Sequence, residues 1–195
     1  MIVHIVDDDE TILDAMQFLL QPLNVEVITW QNSQQFIQQA DLHQEGVVLL
    51  DIRMPYLDGQ QVHQYLRQYQ STLAVIIMTA HGDVPLAVAE LKNGAVDFLT
   101  KPLKFDHLQQ VLTQAQEISQ KKGNLHQISA QFQQLTQKEK ALVSHLLSGA
   151  TNKQIADLLN VSVRTVEVHR ASIMQKMQAE TLAQLVYKIT LLNSA

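Results

Sequence analysis

The sequence contains no cysteine, only four prolines and six glycines, and 5% aromatic residues. The absence of cysteine excludes a disulfide framework and a thiolate metal site. The longest uninterrupted apolar run, residues 73–78, is far shorter than the ~20 residues that cross a bilayer, and the first residues lack the basic and cleavage regions of a signal peptide. We therefore expect a cytoplasmic protein. At 195 residues with 46% hydrophobic content, the chain can form one large domain or two small ones.

Negative charge is concentrated in the first part of the chain. Residues 1–122 hold 7 Lys and Arg against 15 Asp and Glu, a net charge of −8, whereas residues 123–195 hold 7 against 4, a net charge of +3. An acidic half that need not touch nucleic acid is therefore followed by a mildly basic half that can.

Short apolar runs alternate with amphipathic stretches over residues 1–119. This pattern is typical of βα units around a parallel sheet. Between the runs, apolar residues recur every three or four positions, as expected of buried helix faces. Five βα units are predicted, forming an α/β domain with a doubly wound five-stranded parallel sheet. The predicted strands are residues 2–6, 25–29, 47–50, 74–78 and 96–99.

A polar, Gln-rich segment follows this domain, and Gly123 and Asn124 interrupt its helical pattern. We therefore predict a linker over residues 120–134. Strand-like alternation is missing from residues 135–195, where an all-α, four-helix domain is expected. Helix-start signals recur there at Thr136, Thr151, Ser162 and Thr181.

Charged and polar residues stand at the ends of four predicted strands: Asp7, Asp8, Asp51, Thr79 and Lys101. Ligands of parallel α/β sheets collect at this edge. A divalent cation, Mg²⁺ or Mn²⁺, is the simplest way to keep clustered carboxylates ionised, and it would allow Asp51 to attack a phosphoryl group. A single Asp after a strand is more often a turn or helix cap, which we expect of Asp9.

Four motifs resemble the receiver-domain signature of two-component response regulators, which have a flavodoxin-like fold. They are Val6-Asp7-Asp8-Asp9-Glu10, Asp51-Ile52-Arg53-Met54-Pro55, Met78-Thr79-Ala80 and Lys101-Pro102. The resemblance implies that Asp51 accepts the phosphoryl group and that Lys101 pairs with the acidic site. It also implies metal ligands from Asp7, Asp8, Asp51 and the backbone carbonyl of Arg53.

The same resemblance makes Thr79 and Phe98 a switch pair. A phosphoryl oxygen on Asp51 would draw the Thr79 hydroxyl inward and leave space for the Phe98 ring. Phe98 can equally be an ordinary core aromatic. Dimerisation is expected through the fourth helix and fifth strand, with Val88 and Lys92 as contact residues. The side chains of Arg53 and His81 either control access of water to the phosphoryl group or are plain loop residues.

Residues 151–170 have the apolar spacing of a helix-turn-helix. Ala156 lets two helices approach closely, and Asn160 tolerates the left-handed backbone that ends the first helix. The second helix would enter a DNA major groove. Its outward residues are predicted to be Arg164, Thr165, Glu167, Val168, Arg170 and Ala171.

Residues 135–189 closely resemble the LuxR-type output domain, and the whole chain is similar to the FixJ branch of the FixJ/NarL regulators. The motifs are Leu135-Thr136, Asn152-Lys153-Gln154-Ile155-Ala156 and Thr165-Val166-Glu167-Val168-His169-Arg170. The resemblance implies DNA contact by the outward recognition-helix residues, with Glu167 standing where many relatives have a cation. It implies phosphate contacts by Asn152, Lys153, Arg164 and Lys176.

Several alternatives accompany this interpretation. Four capped helices can instead form a protein-binding bundle, although the helix-turn-helix spacing favours DNA. His169 is expected to pack inward rather than read bases. A stripe of apolar residues can complete the core or form a dimer contact; its members are Leu182, Leu185, Val186 and Ile189.

The resulting hypothesis is a transcription factor and not an enzyme. A sensor histidine kinase phosphorylates Asp51, and the protein then dimerises, binds double-stranded DNA and works with RNA polymerase. One rival is a Mg²⁺-dependent phosphohydrolase, but Arg53 occupies the position at which the haloacid-dehalogenase pattern needs an acid–base carboxylate. Another is a constitutive DNA-binding protein with a Mg²⁺-binding receiver.

Overall fold

The computed structural model describes residues 1–80 and 84–194. His81 lies outside this part, as does Asp83, which with Pro85 has the sequence pattern of a helix start. Cα packing divides the chain into two compact units, Met1–Gly123 and Asn124–Ala195. Among the described residues, no helix combines the length and hydropathy that a membrane crossing needs.

The first unit is built on one parallel sheet with the strand order β2-β1-β3-β4-β5. This confirms the predicted doubly wound sheet, and each observed strand lies within one or two residues of its predicted range. The strands are β1 (Ile2–Val6), β2 (Glu26–Trp30), β3 (Gly46–Asp51), β4 (Ala74–Thr79) and β5 (Asp97–Thr100).

Helices cover both faces of this sheet because successive strand residues point to opposite sides. Val47 and Leu49 pack in one core together with residues of α1 and α5, whereas Val48 and Leu50 pack in a second core with residues of α2, α3 and α4. The helices are α1 (Glu10–Leu20), α2 (Ser33–Gln39), α3 (Gly59–Gln68), α4 (Val84–Lys92) and α5 (Phe105–Gln133), with a short 3₁₀-helix (Gln21–Leu23) after α1.

The predicted break at Gly123 and Asn124 is wrong, because α5 continues through both residues to Gln133. A helical glycine costs only about 1 kcal/mol relative to alanine, which neighbouring interactions can offset. The hydroxyl of Ser119 accepts from the Gly46 N–H (2.8 Å) and donates to the Thr72 carbonyl (2.9 Å). Residues 120–133 of the predicted linker are therefore helical.

The second unit is all-α and has its own apolar core. The capping boxes at Thr136 and Thr151 and the N-cap at Ser162 are confirmed. In the predicted stripe, Leu185 and Ile189 are buried in this core and Leu182 packs against it, so these three residues complete the core. Its helices after α5 are α6 (Gln137–Leu147), α7 (Asn152–Leu159), α8 (Val163–Lys176) and α9 (Leu182–Ser194).

Candidate phosphoacceptor site and DNA-binding surface

A lysine ammonium joins two buried carboxylates at the carboxyl edge of the sheet. Nζ of Lys101 donates to Oδ2 of Asp7 at 2.6 Å and to Oδ1 of Asp51 at 2.5 Å. Asp7 follows β1, Asp51 ends β3 and Lys101 follows β5, so three strand ends meet as predicted. The Lys101–Pro102 peptide is cis.

Backbone donors hold the remaining oxygens of both carboxylates. The Asp9 N–H donates to Oδ1 of Asp7 at 3.1 Å, and the Arg53 N–H donates to Oδ2 of Asp51 at 2.7 Å. Asp9 also caps α1 by accepting from the Thr11 N–H, which confirms its predicted role. The two carboxylates are thereby fixed in orientation while still facing the same side.

Burial and the neighbouring charges change the pKa values of Asp51 and Lys101. Burial raises the pKa of Asp51, and the nearby charge of Asp7 raises it further, while the Lys101 ammonium and the Arg53 N–H oppose the rise without cancelling it. Burial alone would lower the pKa of Lys101, but its bonds to the two carboxylates raise it overall. The ammonium therefore stays charged, and Asp51 is more basic than an exposed aspartate.

The donor chemistry of this edge fits a hard divalent cation. Two carboxylates and one ammonium leave a net charge of −1 before the exposed carboxylate of Asp8 is counted. Oxygen donors of this kind are those that Mg²⁺ prefers. Across residues 1–80 and 84–194, no three acidic or imidazole side chains converge closely enough to hold a metal by themselves. A bound cation therefore needs further oxygens, such as the Arg53 carbonyl or water.

Gly59 is a site residue that the sequence analysis missed. It begins α3, and its N–H donates to the Ile52 carbonyl at 2.9 Å. A Cβ at this position would lie 2.3 Å from the backbone oxygen of Asp51. Only glycine lets the helix start come this close to the strand that ends at Asp51. The signal was present in the Asp58-Gly59 pair, with Asp58 as the N-cap of a capping box.

Of the predicted switch residues, Thr79 ends β4 at this edge, and Phe98 lies in β5 beside Ile77. Thr79 is completely buried, and its hydroxyl donates to the Ala80 carbonyl at 3.1 Å. Phe98 is half-buried and packs against the core on the α3 side of the sheet. Val88 and Lys92, the predicted dimer contacts, are both exposed on α4.

The helix-turn-helix is formed by α7 and α8. Asn160 ends α7 in the left-handed conformation (φ 52°), as predicted, and Ser162 caps α8. Five of the predicted DNA-contact residues have exposed side chains, whereas Asn152, Thr165, Arg170 and Lys176 are half-buried. The exposed ones are Lys153, Arg164, Glu167, Val168 and Ala171.

Side-chain pairs orient this predicted surface. Nη1 of Arg170 donates to Oδ1 of Asn152 at 3.1 Å and so links α8 to the start of α7. The guanidinium of Arg164 lies 3.4 Å from the carboxylate of Glu167 in an exposed pair. Such a pair contributes about 0.5 kcal/mol or less, so both side chains can separate to meet other groups. His169 is half-buried, in keeping with its expected inward position.

Lys176 lies against Glu139 rather than on the open surface. Its ammonium is 2.7 Å from Oε2 of Glu139, a residue that is 3% exposed. Oε2 also accepts from the Thr136 N–H, and Oε1 accepts from the Ser172 hydroxyl. Glu139 therefore ties the start of α6 to the second half of α8. We expect Lys176 to stabilise this junction, which the sequence pattern around Lys176 did not indicate.

Glu139 yields a stability prediction for the second unit. Burial raises the pKa of Glu139, but hydrogen bonds from Lys176, Ser172 and Thr136 outweigh it and lower the pKa from 4.5 to about 2. The folded pKa is below the unfolded value, so the stabilisation is complete above the unfolded pKa and is lost as the pH falls towards 2. We expect Glu139→Gln to lower the unfolding free energy at pH 7 by about 2 kcal/mol.

Amide hydrogen exchange of α8 in the full chain measures this loss. The difference from wild type should shrink as the pH falls from 4.5 towards about 2, because the native carboxylate is then also neutral. Glu180→Gln is the matched control, since Glu180 is exposed. Equal α8 protection in Glu139→Gln and wild type at pH 7 would contradict the assignment.

Comparison with known proteins places both units in described families. Residues 3–113 match the family described as "Response regulator receiver domain", and residues 133–189 match "Bacterial regulatory proteins, luxR family".

Two similar proteins match nearly the whole length of this chain. The tetrathionate response regulatory protein TtrR of Salmonella typhimurium is 50% identical over 94% of this chain and 89% of that protein. The transcriptional regulatory protein FixJ of Bradyrhizobium diazoefficiens is 37% identical over 94% of this chain and 92% of its own length.

Two solved structures are similar to this chain in sequence and fold over nearly its whole length. The response regulator StyR is 32% identical, with a TM-score of 0.71 over 97% of this chain and 98% of that one. Full-length FixJ from B. japonicum is 35% identical, with a TM-score of 0.56 over 100% and 98% of the two chains.

Proposed function

Because the chain belongs to the two-component response regulators, with a receiver domain and a LuxR-type DNA-binding domain for transcription regulation, we propose that Asp51 is its phosphoacceptor and controls DNA binding. The observation that carries this proposal is the Lys101 ammonium held between the carboxylates of Asp7 and Asp51. It supplies a nucleophile, a neighbouring carboxylate and a fixed positive charge in one place.

The residues of the pocket have distinct roles in phosphoryl transfer. A carboxylate oxygen of Asp51 attacks the phosphorus of a sensor kinase phosphohistidine, the new O–P bond forms, and the P–N bond breaks with its electron pair left on the imidazole. The Arg53 N–H holds the attacking carboxylate in place. Lys101 is close enough to neutralise charge on the transferred group.

A divalent cation belongs to this proposal as a cofactor. Asp7, Asp8, Asp51 and the carbonyl of Arg53 would hold Mg²⁺ or Mn²⁺, which when bound supplies positive charge beside the phosphoryl oxygens. The chain's own contribution is the pair of oriented carboxylates, whose mutual repulsion Lys101 only partly offsets.

The change at Asp51 has to reach the surface of the receiver domain. We assign this step to Thr79 and Phe98. The buried Thr79 hydroxyl would exchange its bond to the Ala80 carbonyl for a phosphoryl oxygen, and the half-buried Phe98 ring would move into the space left. Val88 and Lys92 on α4 are exposed and would form part of the homodimer contact.

The output is sequence-specific binding of double-stranded DNA by α8. Lys153 and Arg164 would contact phosphates, Asn152 and Arg170 would act as a linked pair, and the exposed Val168 suits a thymine methyl group. A homodimer would place two recognition helices on paired half-sites, and recruitment of RNA polymerase would follow. We propose no enzymatic role, since Arg53 occupies the position that a phosphohydrolase of this pattern needs for a carboxylate.

The test is DNA binding by the full-length protein with and without phosphorylation. Operator sequences are first selected from random DNA with protein treated with acetyl phosphate and Mg²⁺. Phosphorylation should tighten binding to the selected DNA by about tenfold or more, the size of a typical allosteric coupling. Asp51→Ala should remove this gain and leave the weak binding of the untreated protein.

Asp14→Ala is the matched control, since Asp14 is an exposed aspartate on α1 outside the pocket. It should respond to acetyl phosphate as wild type does. An Asp51→Ala protein whose affinity still increases on treatment would disprove the proposal.

The stimulus can also be proposed. The relative that shares 50% identity over 94% of this chain is named for a response to tetrathionate, and we propose tetrathionate as the signal that leads to phosphorylation of Asp51. Transcription in host cells, measured with and without tetrathionate in wild-type and Asp51→Ala strains, tests this. A response that is equal in both strains would contradict the proposal.

A further inference from the structure

A buried histidine–glutamate pair joins two helices on one face of the receiver sheet. Nδ1 of His63 on α3 lies 2.5 Å from Oε2 of Glu90 on α4, and both side chains are 3% exposed. Neither residue belongs to the proposed phosphoacceptor pocket. Apolar side chains of similar volume would hold two helices together at least as well as such a pair. A role in positioning explains its presence better than stability alone.

Glu90 is fixed to the first two turns of α3 and to the end of its own helix. Its other oxygen, Oε1, accepts from Nε2 of Gln60 at 3.4 Å and from Nδ2 of Asn93 at 3.1 Å. Gln60 and His63 both lie within the first five residues of α3. The carboxylate of Glu90 therefore ties the first turns of α3 to the end of α4.

The start of α3 also lies against the backbone at the end of β3, which carries Asp51. Gly59 donates to the Ile52 carbonyl at 2.9 Å, and the space for its missing Cβ lies 2.3 Å from the Asp51 oxygen. His63 follows Gly59 by four residues and so lies one turn further along the same helix face. A displacement of α3 at His63 would be transmitted through this close contact to the backbone of Asp51.

We propose that His63 and Glu90 are positioning residues that hold the first turn of α3, and through Gly59 the Asp51 backbone, in the geometry that accepts a phosphoryl group. The same pair couples that geometry to the position of α4. This inference rests on the proposed phosphoacceptor role of Asp51. It adds a route through α3 that is separate from Thr79 and Phe98.

Amide substitutions at His63 separate positioning from general packing. The Asn side chain places an N–H donor near the position of Nδ1, whereas the Gln side chain places it near Nε2, on the far side of the ring. Both are neutral, so they differ mainly in whether the bond to Glu90 can form. His63→Ala and Glu90→Ala remove it, and Gln64→Ala changes an exposed residue of the same helix as the control.

The rate at which acetyl phosphate and Mg²⁺ modify Asp51 is measured by intact mass on folded full-length protein. Denaturant unfolding is recorded in parallel. We expect His63→Gln, His63→Ala and Glu90→Ala to slow modification by about tenfold or more, since a misplacement of about 1 Å can cost about a hundredfold. His63→Asn should stay within about twofold of wild type, and the double Ala variant should be no slower than either single one.

Each alternative result is decisive. Equal rates in the Asn and Gln variants, additive losses in the double variant, or wild-type rates in both Ala variants would overturn the inference. A His63→Asn protein that fails to fold would also overturn it, because the pair would then serve folding alone. If wild type itself is not modified at Asp51, the proposed function fails instead.

Discussion

Gly59→Ala is expected to destabilise the receiver unit by about 3 kcal/mol, at the upper end of the usual cost of overpacking. The added methyl group would lie 2.3 Å from the Asp51 oxygen and 2.9 Å from Cα of Ile52, so backbone must move to admit it. Because this backbone carries Asp51, the proposed phosphoacceptor, modification by acetyl phosphate should also slow at temperatures where the variant is folded. Fluorescence of Trp30, the only tryptophan of the chain, follows unfolding of this unit during denaturant titration.

Gly123→Ala is the matched control, since Gly123 is also a helical glycine of this unit. Its added methyl group would meet the side chain of Glu45, which is exposed and can swing into solvent. Removing a glycine from a helix interior stabilises by up to about 1 kcal/mol, so this variant should be as stable as wild type or more stable. Similar losses in both variants would contradict the distinction between a backbone clash and a side-chain clash.

The cluster at the carboxyl edge of the sheet could be predicted from the sequence because the order of the strands and loops that form it follows from local rules. Alternating apolar runs determine which segments are strands, and parallel strands bring their carboxyl ends to one edge. Asp7, Asp51 and Lys101 are therefore predicted neighbours although up to 94 residues separate them. The helix caps at Thr136, Thr151 and Ser162 are also local signals, and the structure confirms all three.

The missed features depend on contacts between distant elements. Helix propensity indicates a break at Gly123, but Ser119 holds the helix on the sheet through bonds to residues 46 and 72. The family resemblance implies a phosphate contact for Lys176, but it does not indicate the ion pair with Glu139, 37 residues away, that holds its ammonium. No local pattern identifies such a partner, because a buried polar group is satisfied by whatever element packs against it.

Lys101→Met is expected to destabilise the receiver unit strongly when divalent cations are absent. The substitution keeps the length of the side chain and removes the ammonium from Asp7 and Asp51, which are 1% and 6% exposed. Two buried carboxylates then face each other without a counter-charge. Removing one partner of a buried ion pair lowers the unfolding free energy by about 3 kcal/mol. We expect a loss of this size in the unfolding free energy at pH 7 in a metal chelator, measured by Trp30 fluorescence.

Added Mg²⁺ should restore more stability to Lys101→Met than it adds to wild type, because the variant has the greater uncompensated negative charge at this edge. Modification of Asp51 by acetyl phosphate should nevertheless stay slow in the variant, since the ammonium 2.5 Å from the nucleophile is gone. Lys104→Met changes an exposed lysine after the same strand and should match wild type in both assays. If Lys101→Met is as stable as wild type in chelator, the ammonium does not neutralise this pocket, and Lys101 has no part in holding the two carboxylates together.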